Sequence, residues 1–258
     1  MDLGIKNKNA LITGGSRGLG LSSAISLAKE GVNIIICARS KDDLNKAKKL
    51  IEFFDVKTLC FETDLSNEKS IENIYKISND NLGNIDILVN NVGGSLGTKS
   101  LAISSIKDFQ KVMDINTWVA VNLTKLFLPD MISKKWGRII NIASIYGREF
   151  GGSAPYMAAK SALIAITKHT AIDLAKTGVT ANCIAPGSII HNKGSWEKFV
   201  ENSSEETVND FIKSNLPMGK FGYPEAVGDT VAFLASKNAS MILGTCLNVD
   251  GGQSNSLI

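Results

Sequence analysis

Histidine is scarce in this sequence: His169 and His191 are its only two, and neither has a ligand-like neighbour. Zinc sites draw on cysteine and histidine at close spacing, so no metal centre is expected. The four cysteines, Cys37, Cys60, Cys183 and Cys246, lie far apart in sequence and form no C-x-x-C pair. Cys37 and Cys183 fall in apolar runs, which reads as small buried hydrophobes in a reducing compartment. No stretch is long and apolar enough to span a bilayer, and residues 1–10 carry no apolar signal core. A cytoplasmic address without a membrane partner is the expectation. Strong charge of one sign is missing too: the net charge is +3, and the basic pairs Lys48-Lys49 and Lys134-Lys135 sit in helix-like stretches. Such pairs read as solvated faces, so no nucleic-acid partner is expected.

What is present is a regular alternation. Short β-branched runs at Asn9–Thr13, Asn33–Cys37, Val56–Phe61, Ile85–Val89, Arg138–Ala143, Val179–Ala185 and Thr245–Val249 read as buried strands. Helical-period segments lie between most of them: Leu19–Glu30, Lys41–Phe53, Glu68–Asn79, Ser105–Met131, Pro155–Lys176 and Pro224–Ser236. Strand-then-helix repetition implies an α/β fold, a doubly wound parallel sheet of about seven strands with helices on both faces. At 258 residues, with no linker and no repeat, the chain is expected to be a single domain, 1–258. Residues 187–220 break the rhythm, with several glycines and serines, one candidate helix at Glu205–Asn215 and no strand. Long insertions at the carboxyl ends of strands tend to be functional, and this one reads as a lid over a substrate.

The first strand runs into Thr13-Gly14-Gly15-Ser16-Arg17-Gly18-Leu19-Gly20, and a helix follows. Glycines there let the backbone turn and approach a pyrophosphate, while the helix N-terminus offers free N–H groups. Strand two ends in Cys37-Ala38-Arg39-Ser40. An NAD-preferring site would place an acid near this point for the ribose hydroxyls; Ala38 beside Arg39 suits a 2′-phosphate instead, with Arg17 as a second candidate. The sequence therefore favours NADP(H), with NAD(H) as the alternative. Asp42 and Asp43 read as supporting the N-terminal turn of the next helix.

These residues resemble the T-G-x-x-x-G-x-G signature of the short-chain dehydrogenase/reductase family, a Rossmann-type fold. Further matches follow in the family's order as far as Gly252, so the resemblance covers nearly the whole chain. It implies that Asp64 and Leu65 place the adenine ring, and that Asn90-Asn91-Val92-Gly93 is the turn after strand four. Val92 stands where alanine is usual. Asn116 aligns with the helix asparagine of the catalytic set, Ser144 with its serine, and Tyr156-Met157-Ala158-Ala159-Lys160 with Y-x-x-x-K. Pro186 and Gly187, with Ile189 just beyond, match the turn against the nicotinamide. Gly14, Ser16, Arg17, Gly18, Leu19, Gly20, Arg39, Asn91 and Gly93 complete the implied cofactor set, with Tyr156 and Lys160 shared between both roles. Ser144 precedes Tyr156 by twelve residues, near the short end for the family, and Ser153 lies between them as a rival.

Tyr156 and Lys160 are four apart in a helical segment and so share a face. A free tyrosine has a pKa of about 10, and a nearby ammonium would pull that down toward a useful acid/base. Tyr156 would exchange a proton with the oxygen while hydride passes between cofactor and carbon, and Ser144 would hold that oxygen. By resemblance, Lys160 holds the nicotinamide ribose and Asn116 anchors a proton-relaying water. The implied function is interconversion of a carbonyl and a secondary alcohol, on a small molecule such as a 3-oxoacyl thioester. A sugar or polyol dehydrogenase is the alternative, and a dinucleotide-binding sensor without catalysis a distant one. Leu96, Ile145, Trp196, Phe199 and Met218 are candidates for an apolar pocket, and Arg148, His191 and Lys193 for a polar group. The resemblance also implies a homotetramer, or a homodimer, packed through the long helices. A serine hydrolase fits poorly. G-x-S-x-G occurs around Ser16 and Ser95, but no earlier strand precedes Ser16 to supply an oxyanion donor, and no helix starts at once after Ser95.

Overall fold

A computed structural model describes residues 1–257; the last residue of the expected 1–258 unit, Ile258, lies outside the described residues. The apolar runs form seven strands: β1 Asn9–Thr13, β2 Asn33–Ala38, β3 Thr58–Glu62, β4 Ile87–Asn90, β5 Gly137–Ile142, β6 Val179–Pro186 and β7 Cys246–Val249. They build one parallel sheet in the order β3-β2-β1-β4-β5-β6-β7. The order reverses between β1 and β4, which opens a crevice at the carboxyl ends of these strands where such sheets take ligands.

Each central strand is buried on both faces because helices cover both. The helices are α1 Gly18–Lys29, α2 Lys41–Glu52, α3 Glu68–Leu82, α4 Ile106–Met113, α5 Val119–Ser133, α6 Ala154–Leu174, α7 Ser195–Asn202, α8 Glu205–Asn215 and α9 Pro224–Ala235. Alternate residues of β1 feed opposite cores. Ala10 and Ile12 pack with α1, α2 and α9 through Leu27, Leu44 and Val231. Leu11 faces the other way, toward Ile74 of α3, Phe127 of α5 and Leu174 of α6.

Two segments depart from the sequence reading. The expected single helix Ser105–Met131 is broken by a π-helical turn, Asp114–Trp118, between α4 and α5. Asn116 explains it: its side-chain amide donates to the Val112 carbonyl (2.8 Å), four residues back, competing with the backbone N–H that an α-helix would place there. The 187–220 segment holds two helices, not one; α7 was missed because its eight residues are too few for a clear period. A single bridge, Ile189 to Gly222, ties the base of this segment together. Above it Trp196, Phe199, Phe211 and Phe221 form a small aromatic cluster, with ring centroids 4.8–5.8 Å apart. Cys183 and Cys246, remote in sequence, are register partners across β6 and β7.

Candidate active site

A cleft of about 1020 Å³ runs along the carboxyl ends of the strands. Its outer end is built mainly from backbone. Gly14 turns the chain with φ +64°, a conformation that disfavours a side chain. Gly20 packs under that turn; a Cβ there would lie 2.3 Å from the Gly14 carbonyl oxygen. Thr13 and Asn91 lock the loop from below. The Thr13 hydroxyl accepts from the Asn91 and Val92 N–H groups (2.9 and 3.0 Å), and Asn91 donates to the Thr13 and Gly14 carbonyls (2.9 and 3.2 Å). Helix α1 starts with no side-chain cap and no acid in its first turn. Its first N–H groups are therefore free to face an anion, and this cradle fits a pyrophosphate.

Ser16, Arg17, Leu19, Arg39, Asp64 and Leu65 border this end, with Arg17 and Arg39 exposed. Asp64 accepts from the Ser66 N–H (3.0 Å); Ser66 and then the charge of Arg39 hold its carboxyl below the usual range. Gly18 does not border the cleft directly. The ring of His191 covers it, and a Cβ on Gly18 would come within 2.7 Å of that ring.

The inner end is made of side chains. Ser144 lies two residues past β5, caps the short turn Ile145–Gly147 by accepting from the Tyr146 N–H (3.2 Å), and borders the same cleft as Tyr156. Tyr156 and Lys160 project from the first turns of α6, with the Lys160 ammonium 5.7 Å from the Tyr156 ring centre. Lys160 is only 3% exposed and donates to the Ile142 carbonyl at 2.7 Å. Burial brings its pKa down to about 8, with nearby Cys183 opposing. Burial also pushes the Tyr156 phenol above its ordinary value; the nearby Ser144 hydroxyl works against this and Tyr146 adds to it. The lowering expected from the lysine is thus reversed in the chain by itself. At neutral pH the phenol holds its proton.

Asn116 lies behind this group and does not border the cleft. It donates to the Gly94 and Val112 carbonyls (2.9 and 2.8 Å) and accepts from the Gly94 N–H (2.9 Å). A Cβ on Gly93 would meet both the Asn116 oxygen (2.4 Å) and the Lys160 nitrogen (3.1 Å), so Gly93 brings these two together. Pro186, the last residue of β6, and Gly187 and Ile189 just beyond it border the cleft. Ser153, the rival of Ser144, also borders it, but its hydroxyl is shared with Thr98 (2.8 Å).

Of the pocket candidates, Leu96, Ile145, Trp196, His191 and Lys193 border the cleft. Phe199 belongs instead to the aromatic cluster, Met218 lies away from the cleft and 60% exposed, and Arg148 binds the Cys246 carbonyl and the Asn248 side chain of β7. Only the first part of the 187–220 segment, up to Trp196, reaches the cleft. Sequence reasoning passed over Ser188, whose buried hydroxyl has no partner and borders the cleft, and the ties of Lys193. No local pattern marks either. Among the described residues, no cluster of histidine, cysteine and carboxylates could hold a metal ion, and no helix is long and apolar enough to cross a membrane.

A glycine cradle at the switch point of a doubly wound sheet, leading to a Ser-Tyr-Lys group, defines a dinucleotide-type oxidoreductase architecture. Residues 14–254 match the family described as Enoyl-(Acyl carrier protein) reductase. The chain belongs to the short-chain dehydrogenase/reductase family of oxidoreductases. It is 33% identical to the 3-oxoacyl-(acyl-carrier-protein) reductase of Staphylococcus epidermidis, over 95% of this chain and 98% of that one. It is also 33% identical to the D-beta-hydroxybutyrate dehydrogenase of Cupriavidus necator, over 96% and 98%. Among solved structures, L-sorbose reductase from Gluconobacter frateurii, complexed with NADPH and L-sorbose, superposes with a TM-score of 0.89 over the full length of both chains at 28% identity.

Proposed function

We propose that the chain is an NADP(H)-dependent reductase of a 3-oxoacyl thioester or a related ketone, with Tyr156 as the proton donor. The observation that carries this reading is the grouping of Ser144, Tyr156 and buried Lys160 at the inner end of a cleft whose outer end is a glycine cradle flanked by Arg17 and Arg39. When bound, the nicotinamide supplies or accepts the hydride. Tyr156, which keeps its proton at neutral pH, gives it to the carbonyl oxygen; the Ser144 hydroxyl holds that oxygen. Lys160, fixed by the Ile142 carbonyl, adds positive charge beside the phenol and hydrogen-bonding capacity for a ribose. Asn116 has a positioning part: it orders the Gly93–Gly94 turn. Both its amide protons are committed, so a relay water there would rest on backbone carbonyls.

Gly14, Ser16 and Leu19 would hold the pyrophosphate, with Gly18 and Gly20 shaping the turn behind them. Arg17 and Arg39 would take the 2′-phosphate, Asp64, Leu65, Asn91 and Gly93 the adenosine side, and Pro186, Gly187 and Ile189 the nicotinamide. The 3-oxoacyl choice rests on the names of two of the enzymes similar to this chain, which place the reacting carbon β to an acyl carbonyl. A second reading, reduction of a sugar ketone, is favoured by the full-length likeness to L-sorbose reductase. In either case the part of the 187–220 segment that borders the cleft, up to Trp196, would cover the substrate. Four free cysteines suit a cytoplasmic address. Val119 of α5 and Leu163 of α6 face the core, while Trp118, in the turn just before α5, and Ile172 of α6 are 47% and 61% exposed. That outward surface suits a homotetramer or homodimer.

The test is fluorescence titration with NADPH and NADH side by side, followed by turnover on acetoacetyl thioesters and on ketoses. Tight NADPH binding with thioester reduction supports the proposal, and ketose reduction alone moves it to the second reading. Binding without turnover on any carbonyl points to a dinucleotide sensor.

A further inference from the structure

We propose that Lys193, delivered to the cleft by the segment after β6, is a further selectivity residue that reads the cofactor's 2′-phosphate and is held in reserve by Asp43. The inference rests on the NADP(H) reading above.

Lys193 is not an ordinary loop lysine. Its φ is +58°, in the left-handed region that disfavours residues with a side chain, and such strain persists where surrounding contacts enforce it. Three ties enforce it here. Its N–H donates to Glu197 (2.6 Å), its carbonyl accepts from the Arg17 guanidinium (2.9 Å), and its ammonium reaches both oxygens of Asp43 (2.9 and 3.2 Å). Arg17 comes from the glycine loop and Asp43 from the first turn of α2, so this one residue bridges three elements across the mouth of the cleft.

The charges around that point decide what it can bind. Arg17, Arg39, Asp43, Asp64 and Lys193 all border the same cleft, three cations against two acids. Asp43 lies in the first turn of α2, as the sequence indicates, beside the N-cap Ser40. Its carboxylate also engages Lys193, and the lysine is the main reason its carboxyl sits below the usual range. A phosphate carries up to two negative charges and three acceptor oxygens, so it competes well with a single carboxylate for an ammonium on a flexible stem. The Lys193 side chain is 56% exposed and free to swing, whereas Asp43 is 18% exposed. A cofactor with a 2′-phosphate would draw Lys193 off Asp43 and add to Arg17 and Arg39. One without it leaves the ion pair in place. Asp43 thereby limits how strongly the chain favours NADP(H).

The test is equilibrium titration of the intact chain with NADPH, NADH and adenosine 2′-monophosphate, in wild type, Lys193→Ala and Asp43→Asn. Lys193→Ala should weaken NADPH and adenosine 2′-monophosphate about tenfold, as for loss of one partly exposed charge-assisted contact, and leave NADH within about twofold. Asp43→Asn should tighten NADPH by about three- to tenfold with NADH unchanged. Circular dichroism confirms folding of each variant. A wild type that prefers NADPH but keeps its NADPH/NADH ratio in Lys193→Ala overturns this inference alone, as does equal weakening of both cofactors, which would mark a plain strap. A wild type that binds NADH as tightly as NADPH and ignores adenosine 2′-monophosphate overturns the NADP(H) reading with it.

Discussion

The two ends of the cleft are built in opposite ways. At the inner end three of the side chains proposed to act are nearly out of solvent: Asn116, Lys160 and Ser144 are 1%, 3% and 7% exposed, each with a named hydrogen-bond partner, while Tyr156 is half-buried on the cleft wall. At the outer end the cradle proposed for the pyrophosphate is backbone, and the charged side chains around it, Arg17, Arg39 and Lys193, are exposed. Proton transfer needs atoms held in place before the substrate arrives, which burial and fixed bonds provide. Reading a phosphate needs charge that can move to meet it, and exposed long side chains do that at low energetic cost to the fold.

If this contrast holds, damage at the inner end should show in turnover and damage at the outer end in cofactor affinity. The largest effect is expected for Tyr156→Phe. Removing the donor should lower kcat by roughly 10²- to 10⁴-fold while NADPH still binds, as read by steady-state kinetics beside a binding titration. A near-normal kcat would remove Tyr156 from the acid/base role. Arg39→Asp is the outer-end counterpart: NADPH affinity should fall about 10- to 100-fold with NADH much less affected and kcat at saturation little changed. An unchanged Kd for NADPH would break the assignment of Arg39.

The pH profile sharpens the contrast. Burial brings Lys160 down to about 8, so its positive charge is present at neutral pH and lost as pH rises through that value. The kcat of carbonyl reduction should therefore be level near neutrality and fall about tenfold per pH unit above it, a slope that follows from loss of a single proton. Lys160→Arg, which keeps its charge at any such pH, should move or abolish that alkaline limb; a limb that stays put assigns it elsewhere. Asn116→Ala tests the rigid end through stability. It strips partners from the Gly94 and Val112 carbonyls and the Gly94 N–H, and should cost about 2–4 kcal/mol in urea unfolding. The smallest effect is expected at the edge: Ser105→Ala removes the capping box of α4 and should cost about 1 kcal/mol without changing either Kd.

Much of this was legible from one-dimensional pattern. The strand runs, the glycine loop and the Tyr156–Lys160 spacing depend on neighbours within a few residues, and periodicity records such neighbours directly. The seven strands fall where the apolar runs lie, within about two residues at each end. What was misread depended on contacts the pattern does not carry. The break between α4 and α5 arises from a side chain bonding a carbonyl one turn back, and α7 is held by aromatic packing with α8 and Phe221 rather than by its own period. The rise of the Tyr156 pKa comes from burial, which no spacing reveals.

By itself, the sequence determined an alternating α/β chain, its glycine cradle and the residue types able to move a proton, because local geometry and residue chemistry suffice for these. Tertiary structure alone decided that Asn116 sits behind Gly93, that Lys193 meets Asp43 across 150 positions, and that His191 covers Gly18. Those pairings are set by the order of strands in the sheet and by the course of the segment after β6. Charges and donors become partners there only once the chain has closed on itself.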